Sequence, residues 1–247
     1  MSQIISILNT LDTITLGEMD KVKLMNRMDS KYMFTMQMLP QLLDNCRAHY
    51  VVTDIGGNKC SNYETLYYDT NDYKLYTQHH AGKLNRYKIR KRTYVESAVS
   101  FLEIKFNDNK GRTTKNRIKL TGNNMDASAI AFIEKETPLK AKDLKPSVQI
   151  NYTRITLVSK ALTERITIDL KLTIGKDTFT RTFNNVVIAE VKQNKTNHSE
   201  FTHLMREYRI KEGAISKYCF GISNLVEEVK KNNFKEKNLR ILKLNHT

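Results

Sequence analysis

Hydrophobic and polar residues alternate along much of this chain, and the alternation predicts β-strands. In the clearest segment, residues 164–174, isoleucine and leucine alternate with Arg165, Thr167, Asp169 and Lys171. Successive side chains of a strand point to opposite faces of a sheet, so such a segment has one apolar and one polar face. About eight segments share the pattern. They are residues 26–34, 63–70, 84–94, 101–106, 112–120, 148–158, 164–174 and 186–193.

Other segments carry apolar residues at helical spacing and are expected to be helices. They are residues 3–24 (one or two short helices), 35–50, 71–80 (a short helix or turn), 125–136, 198–210 and 217–231. The final residues, FKEKNLRILKLNHT, are basic and are expected to form a frayed tail. We find no repeat and no linker rich in Gly, Pro or Ser. The sequence therefore predicts one α+β domain over residues 1–247, with its core at about 25–231 and a basic tail at 232–247.

The polar faces of the predicted strands carry far more cations than acids. Four acids lie there, Asp29, Glu103, Asp169 and Glu190, against fourteen cations. The cations are Arg27, Lys31, Arg86, Lys88, Arg90, Arg92, Lys105, Lys115, Arg117, Lys119, Arg154, Arg165, Lys171 and Lys192. Like charges opposite one another on neighbouring strands destabilise a sheet. This segregation of charge predicts an anionic ligand over the charged faces.

Two architectures satisfy the pattern. In the first, an open antiparallel sheet turns its apolar face to the helices and its charged face to water. In the second, the sheet closes into a barrel, so that the charges line the lumen and the helices cover the apolar outside. A barrel of about eight strands can hold a small ligand in its lumen. Periodicity alone leaves both architectures open.

The overall charge favours the same class of partner. The chain has 247 residues and a formal net charge of +15 at pH 7, from 41 Lys and Arg against 26 Asp and Glu. Such an excess indicates nucleic acid, an anionic membrane or polyphosphorylated small molecules as partners, unless it is only a basic solubility coat. Nucleic acid would favour aromatic rings among exposed cations. The tyrosines are expected mostly near strand ends or on apolar faces, so we expect no nucleic acid.

Cysteine spacing and the terminal residues bear on location. Cys46, Cys60 and Cys219 are widely spaced and form no C-x-x-C pair, so the sequence predicts neither disulfides nor a zinc site. The first residues lack the basic and apolar regions of a signal peptide. No stretch approaches the about 18 consecutive apolar residues of a membrane span. We therefore expect a cytoplasmic protein.

Short motifs in one order along the chain resemble a known family. They are YYDT, R-x-K-x-R-x-R-x-Y, LEIK, K-x-R, Y-x-R, a later strand with R…D, AEVK and SKY. Over roughly Arg27 to Gly221 they resemble the VTC domain, the polyphosphate polymerase module of the vacuolar transporter chaperone complex. That domain belongs to the CYTH, or triphosphate tunnel metalloenzyme, superfamily. The resemblance implies an antiparallel eight-stranded β-barrel with helices outside, whose basic lumen binds triphosphate or polyphosphate beside Mn²⁺ or Mg²⁺.

The resemblance also implies site residues. The expected catalytic residues by motif position are Lys31, Arg90, Arg92, Lys105, Lys115, Arg154, Arg165 and Lys217, with Tyr152 and Ser216 as phosphate ligands and Glu190 as the metal ligand. The charged faces themselves add Arg86, Lys88, Arg117 and Lys192 as phosphate-binding candidates, and Asp169 and Glu103 as secondary metal candidates. The alternative role of those two acids is to neutralise lysines. The first strand departs from the frequent E-x-E-x-K pattern, because Arg27 replaces the first acid, which argues against a two-metal hydrolytic site.

Three functions from different classes remain open. The first is a polyphosphate polymerase that transfers the γ-phosphoryl group of ATP, or another nucleoside triphosphate, to a polyphosphate chain that threads away through the tunnel. The second is a metal-dependent tripolyphosphatase or nucleoside triphosphatase. The third is a non-catalytic module that binds polyphosphate. Because translocation of a polymer would need another chain, we also expect a membrane-protein partner that could hold the protein at a membrane.

Overall fold

The computed structural model describes residues 1–19, 27–122, 125–194 and 199–247, and of Arg27 only the backbone. The strands in these ranges are β1 (Thr13–Ile14), β2 (Arg27–Thr35), β3 (Tyr50–Thr53), β4 (Ser61–Asp69), β5 (Arg86–Tyr94), β6 (Val99–Asn107), β7 (Thr113–Leu120), β8 (Lys145–Ser159), β9 (Glu164–Lys176), β10 (Phe179–Phe183) and β11 (Val186–Asn194). The helices are α1 (Ser2–Asn9), α2 (Leu16–Met19), α3 (Leu39–Cys46), α4 (Lys74–His80), α5 (Ala127–Glu136), α6 (Glu200–Glu207), α7 (Lys217–Leu225) and α8 (Lys235–His246). All eight strands predicted from the alternation are present.

The strands form one sheet in the order β2-β11-β9-β8-β4-β5-β6-β7. Every pairing along this path is antiparallel. Three shorter strands extend it, since β10 pairs with β9, β3 pairs with β8, and β1 pairs with β3. This confirms the predicted eight-stranded antiparallel architecture. Within the described ranges no pairing joins β7 to β2, so the sheet remains open at that seam rather than closing into a complete barrel.

The sheet curls strongly, so its two ends face each other. Lys105 lies on β6 and Lys31 on β2, six strands apart in the sheet order. In a flat sheet that separation would be about 29 Å at the usual strand spacing. Lys31 and Glu190 nevertheless act electrostatically on Lys105, which requires them to lie close to it. The inner face of the curled sheet therefore forms a trough, which we call the bore.

Most of the helices pack on the outer face of the sheet, as predicted. One cluster joins α1, α3 and α6 to β8, β9 and β11, with Leu8, Leu43 and Phe201 buried against Ile168 and Val191. A second cluster packs α5 and part of α4 on the outer face of β5 and β6. Within the described ranges, no helix is both long enough and apolar enough to cross a membrane.

Two helices lie inside instead, which corrects the prediction that all helices cover the outside. Helices α7 and α8 belong to a third cluster with the inner-face residues Val148, Ile150 and Ile174. A Cβ atom added to Gly221 of α7 would lie 2.7 Å from Cγ2 of Val148 and 2.9 Å from Cδ1 of Ile150. Because glycine has no side chain, α7 can approach β8 this closely. One end of the bore is thus apolar and filled by α7.

The C-terminal residues are helical, whereas the sequence predicted a frayed tail. Ile241 of α8 is fully buried in the cluster that contains α7. Asn185, just before β11, donates from its side chain to the carbonyl of Leu244 (3.1 Å), and its backbone N–H donates to Asn245 (3.3 Å). Because the segment is rich in lysine, the sequence analysis did not predict that its apolar residues would be buried. The last helix is therefore α8, not α7, and it is part of the packed protein.

A bulge in β9 changes which residues face the bore. Lys171 has a left-handed backbone (φ 50°), at the level where the β8–β9 register shifts. Leu170 lies in the outer cluster, but Leu172 and Ile174 lie in the inner one. The sequence prediction kept one alternation through residues 164–174 and placed Lys171 on the charged face. That placement was wrong, and Lys171 is exposed.

Candidate active site

The wall of the bore formed by β5, β6 and β7 carries cations in register. Lys88 lies opposite Lys105, and Lys105 lies opposite Lys115. One step along the strands, Glu103 lies between Arg90 and Arg117. The first row has three like charges on neighbouring strands, which is unfavourable without a counter-ion. The second row contains one buried acid that offsets part of its charge.

Glu103 is the centre of an ion-pair cluster. Arg90 donates from Nε to its Oε2 (2.7 Å), and Nζ of Lys115 lies 2.5 Å from its Oε1. Arg92 is farther away, with Nη1 3.9 Å from Oε2. Burial alone would raise the pKa of Glu103, but Arg90, Arg92 and Lys115 outweigh it and lower the pKa to about 2. Glu103 is therefore ionised and engaged by cations.

Asp169 on β9 holds a second ion-pair cluster. Arg154 on β8 donates from Nε (2.6 Å) and Nη2 (2.8 Å) to the two carboxylate oxygens, the bidentate geometry that suits guanidinium. Lys217 of α7 donates to Oδ2 as well. Burial opposes ionisation, but Arg154 and Lys217 lower the pKa of Asp169 to about 2. This cluster links α7 to the sheet.

Glu190 on β11 holds a third cluster with β2. It lies opposite Lys31, whose Nζ is 3.1 Å from Oε1, and Lys192 contacts its other oxygen. Nζ of Lys192 is also 3.8 Å from Asp29. Burial would raise the pKa of Glu190, but Lys192 and Lys31 hold it well below its ordinary value. Two carboxylates and two lysines thus share the β2–β11 edge of the bore.

The first turn of α7 faces the charged part of the bore. Ser216 caps the helix by accepting from the backbone N–H of Cys219 (3.3 Å), and Lys88 donates to the same hydroxyl oxygen (3.1 Å). The prediction that Ser216 and Lys217 open a helix is confirmed. A helix N-terminus and its partial positive charge favour an anion. Ser216, Lys217 and Lys88 therefore bring donors to the junction of the charged and apolar parts of the bore.

Lys88 and Lys105 differ from the other lysines of the bore. In the described part of the chain, neither lies within ion-pair distance of a carboxylate. The side chain of Lys105 is still partly in contact with solvent, and desolvation by its surroundings, together with Lys88 and Lys31, lowers its pKa to about 8. Burial likewise lowers the pKa of Lys88. Lowered lysine pKa values of this kind are typical of functional sites that bind an anion.

Tyrosines lie among the arginines of the bore; the sequence prediction included Tyr152 but missed Tyr63 and Tyr67. Tyr63 and Tyr152 stack at 5.3 Å, and the guanidinium of Arg154 lies 5.1 Å from each ring centroid. Arg90 lies over Tyr67 and donates to its hydroxyl (3.1 Å). These three tyrosines are buried, so their rings are not available to stack on bases. That the protein does not bind nucleic acid stays a prediction, now because these tyrosines are buried rather than because they lie on apolar faces.

The remaining predicted residues lie toward the ends of the charged region. Arg117 is exposed and stacks on Phe101 at 4.5 Å. Arg86 donates to the carbonyl of Lys83 (2.8 Å). Arg165 lies opposite Lys192 in the β9–β11 register and is half-buried. The roles of these three residues in binding phosphate stay predictions.

The carboxylates at the β2–β11 edge are the residues that could hold a divalent cation together with a phosphate. The described residues contain no group of three or more His, Cys, Asp or Glu that could hold a metal. Glu190 and Asp29 flank Lys192, and a hard cation such as Mg²⁺ is often bound through one or two carboxylates plus substrate phosphates. Asp169 and Glu103 are already engaged by several cations each, so their predicted role as metal ligands is untested.

Comparisons with known proteins agree with this geometry. No curated protein matches the chain significantly. A solved structure of a proposed adenylyl cyclase from Hippeastrum is similar in fold, with 13% identity, coverage of 81% of this chain and 98% of that chain, and a TM-score of 0.51. Proposed adenylate cyclases from Vibrio parahaemolyticus (11% identity, 77% of this chain, 95% of that chain, TM-score 0.48) and Bacillus halodurans (11%, 82%, 98%, 0.48) also match.

The fold is that of the CYTH tunnel proteins. The family comparison is more specific than the structural one, because it rests on the sequence over most of the chain. The VTC domain matches residues 26–226, a range that includes β2 to α7 and every residue of the three ion-pair clusters. This chain therefore belongs to the VTC domain family.

Proposed function

We propose that this protein is a phosphotransferase that moves the γ-phosphoryl group of a nucleoside triphosphate, ATP in the first instance, onto a polyphosphate chain. Family and fold support a triphosphate-tunnel enzyme. The observation that carries the proposal is the row Lys88, Lys105 and Lys115 across three strands. Lys115 shares Glu103 with Arg90, whereas Lys88 and Lys105 lie within ion-pair distance of no acid among the described residues. Like charges on neighbouring strands repel one another, and an anion of high charge over the row would remove that repulsion.

The geometry suits phosphoryl transfer because this reaction needs positioning and charge stabilisation more than covalent help from the protein. Arg90 and Arg154 are anchored by Glu103 and Asp169, so their guanidinium groups are held in place before a substrate arrives. Lys88 and Lys105 remain free to contact phosphate oxygens. A substrate phosphate would then meet preorganised donors rather than flexible side chains.

The carboxylates of the bore favour a phosphate acceptor over water. Hydrolysis benefits from a general base that takes a proton from water, and an effective base has a pKa near the working pH. The pKa values of Glu103 and Asp169 are about 2, and that of Glu190 is well below its ordinary value. These groups are poor bases. The terminal oxygen of a polyphosphate chain is already anionic and needs no base.

A divalent metal fits the proposal as part of the substrate complex. Glu190, with Asp29 nearby, would hold it at the β2–β11 edge together with the phosphates. When bound, such an ion neutralises charge on the β- and γ-phosphates. Lys31 and Lys192 keep Glu190 ionised and oriented toward the bore.

The second candidate is hydrolysis of tripolyphosphate or nucleoside triphosphates. The protein from Hippeastrum is described as having a dominant triphosphatase activity, and its fold is shared. The low pKa values of the carboxylates Glu103, Asp169 and Glu190 weigh against this reaction, and so does Arg27 at the start of β2, where an acid would assist a second metal. The two candidates differ in the acceptor alone, so their products distinguish them.

The test is incubation of the whole protein with ATP and Mn²⁺ or Mg²⁺, followed by sizing of polyphosphate on a gel and measurement of orthophosphate. We expect long polymer and little orthophosphate. Release of orthophosphate without polymer would assign the hydrolase instead. Binding of tripolyphosphate without turnover under either metal would leave a non-catalytic binding module.

Two variants link the activity to the bore. Arg90→Ala with Arg92→Ala removes the guanidinium groups beside Glu103 and should abolish synthesis. Lys135→Ala with Lys142→Ala removes the same charge from exposed positions outside the bore and should leave synthesis unchanged. Full polymer synthesis by the double arginine variant would refute the assignment.

A further inference from the structure

Asp69 has no role in the proposed chemistry, yet it is fully buried and holds an unusual set of contacts. It is the last residue of β4, within the YYDT motif. Its carboxylate accepts from the backbone N–H groups of Thr70 (2.8 Å), Leu75 (2.8 Å) and Tyr76 (2.9 Å), so it caps α4. No cation in the described part of the chain pairs with it, and burial raises its pKa.

The remaining contact of Asp69 is with α7. The hydroxyl of Tyr218 donates to Oδ2 of Asp69. Tyr218 is buried, and its ring stacks on Tyr67 at 5.0 Å, whose own hydroxyl accepts from Arg90. Asp69 therefore joins the end of β4 and the start of α4 to the first turn of α7, next to a ring that contacts a site arginine.

Tyr218 follows the two residues of α7 that reach the charged part of the bore. Lys217 donates to Asp169, and Ser216 accepts from Lys88. Three consecutive residues thus contact three different strands, through Asp69 on β4, Asp169 on β9 and Lys88 on β5. Gly221 sets the distance of the helix from β8, but close packing at one glycine does not fix the rotation of a helix about its axis. The bond from Tyr218 to Asp69 adds a direct restraint on this rotation.

We propose that Asp69 is a positioning residue for the phosphate site, and that through Tyr218 it fixes the first turn of α7 so that Ser216 and Lys217 face the bound phosphates. The inference rests on the proposed function for the identity of the ligand. The positioning itself is independent of ligand, because every contact in it is between residues of this chain.

The variant that tests the inference is Tyr218→Phe, which removes the hydroxyl and keeps the ring. Tyr76→Phe is the matched control, since Tyr76 is equally buried in the same region but its hydroxyl donates to the carbonyl of Lys230 (2.8 Å). We expect Tyr218→Phe to weaken tripolyphosphate binding about tenfold in calorimetry, because Ser216 and Lys217 are then no longer held toward the ligand. Tyr76→Phe should change the affinity by less than about twofold and cost less thermal stability, because its lost partner is a neutral carbonyl.

Two further measurements separate positioning from general destabilisation. In a Lys217→Ala background, Tyr218→Phe should cost much less affinity, because the group that it orients is gone. Without any ligand, acetylation of Lys217, followed by mass spectrometry, should become several-fold faster in Tyr218→Phe and not in Tyr76→Phe. Unchanged acetylation together with unchanged affinity in Tyr218→Phe would overturn the inference.

Failure of the proposed function gives a different result. If the wild-type protein does not bind tripolyphosphate but acetylation of Lys217 responds to Tyr218→Phe, the positioning by Asp69 stands and the phosphate ligand is wrong. Asp69→Asn is a second variant. It leaves one acceptor oxygen for five donors, and we expect it to accelerate acetylation of Lys217 at least as much as Tyr218→Phe does. Acetylation at the wild-type rate would count against Asp69.

Discussion

At the scale of residues, the bore contains two kinds of cation. Arg90, Arg154 and Lys31 are held by buried or half-buried acids, whereas Lys88 and Lys105 have no acidic partner within the described ranges. An acid already neutralises the charge of a paired cation, so the paired cation positions a phosphate but gains little electrostatic energy when the phosphate binds. A cation without an acidic partner gains the full electrostatic attraction to the phosphate. When that cation is a lysine with a lowered pKa, its ammonium group also loses its proton at a lower pH. The affinity of the bore for an anion is therefore expected to depend on pH through the unpaired lysines.

We predict that tripolyphosphate affinity falls as the pH rises through about 8, the pKa of Lys105 in the free protein. Below that pH, Lys105 is protonated and attracts phosphate. Above it, binding must take up a proton, so affinity falls by as much as about tenfold per pH unit. Calorimetry from pH 6.5 to about 9.5 measures the effect. In Lys105→Arg the cation does not titrate, and the decline should flatten. An identical profile in both proteins would exclude Lys105 as its source.

The metal gives a second prediction at this scale. Because the described residues hold no cluster of three metal ligands, Mn²⁺ should bind weakly to the free protein and tightly in the presence of tripolyphosphate. Electron paramagnetic resonance of Mn²⁺ with and without tripolyphosphate measures this. Glu190→Gln should raise the Mn²⁺ concentration needed by about tenfold, while Asp44→Asn, at an exposed residue outside the bore, should not. Tight binding of Mn²⁺ without tripolyphosphate would contradict the shared site.

At the scale of elements, α7 and β7 define the two limits of the bore. Helix α7 fills the apolar end, so a polymer that threads through the whole tunnel would have to displace it. Strand β7 lies at the open seam and is mostly exposed, with Lys115, Arg117 and Lys119 alternating along it. These cations stand about 7 Å apart along the strand. We expect a long polyphosphate chain to leave the charged region along this edge.

Strand β7 should therefore contribute to the binding of long chains and not of short ones. We predict that Arg117→Ala with Lys119→Ala weakens binding of polyphosphate of about 60 phosphates at least tenfold, from two lost contacts that release counter-ions. Tripolyphosphate binding should change less than about twofold. The Lys135→Ala, Lys142→Ala protein is the control for net charge. Equal losses for the short and long ligands would place both residues at the triphosphate site itself.

Helix α8 gives the second prediction for an element. Ile241 is fully buried, whereas Leu239, two residues earlier, is 55% exposed. Ile241→Ala should lower the free energy of unfolding by about 2–5 kcal/mol through lost burial and the cavity left behind. Leu239→Ala should change it by about 0.5 kcal/mol or less. Urea denaturation measures both. Equal small effects would mean that α8 does not pack as described.

At the scale of the whole molecule, the chain has a net charge of +15, and many of its cations lie on the inner face of the curled sheet. Curling brings β2 and β11 close to β6, which adds repulsion from Lys31 to the row that already contains Lys88 and Lys105. Packing of the outer helices and of α7 must offset this repulsion in the free protein. A bound polyanion would remove it.

We predict that tripolyphosphate raises the thermal midpoint of unfolding strongly, since a ligand at 100 times its dissociation constant stabilises a protein by about 2.7 kcal/mol. The increase should shrink as salt is added, because salt screens the attraction. Differential scanning fluorimetry with tripolyphosphate, and with orthophosphate at equal ionic strength, measures it. The same small shift for both anions would indicate that the bore does not select a chain of phosphates.

Much of the fold follows from local sequence. Alternation determined the strands because a half-buried strand needs one apolar and one polar face, and residues 84–94 show this without any partner. The excess of cations on those polar faces determined the class of ligand. The motifs, read together, determined the family. Each of these depends on neighbours within a few residues or on composition.

The tertiary structure decided what depends on distant residues. The left-handed backbone at Lys171 moves Leu172 to the inner face, and no local pattern distinguishes such a bulge from a regular strand. Helix α8 is buried against a surface made by β2, β11 and α7, which its local sequence does not show. From the local sequence alone, its basic residues suggested a frayed tail. The pairing of Glu103, Asp169 and Glu190 with particular cations, and the tyrosines between the arginines, required the curl of the sheet. Sequence determined which charges exist, and packing decided which of them remain free for a ligand.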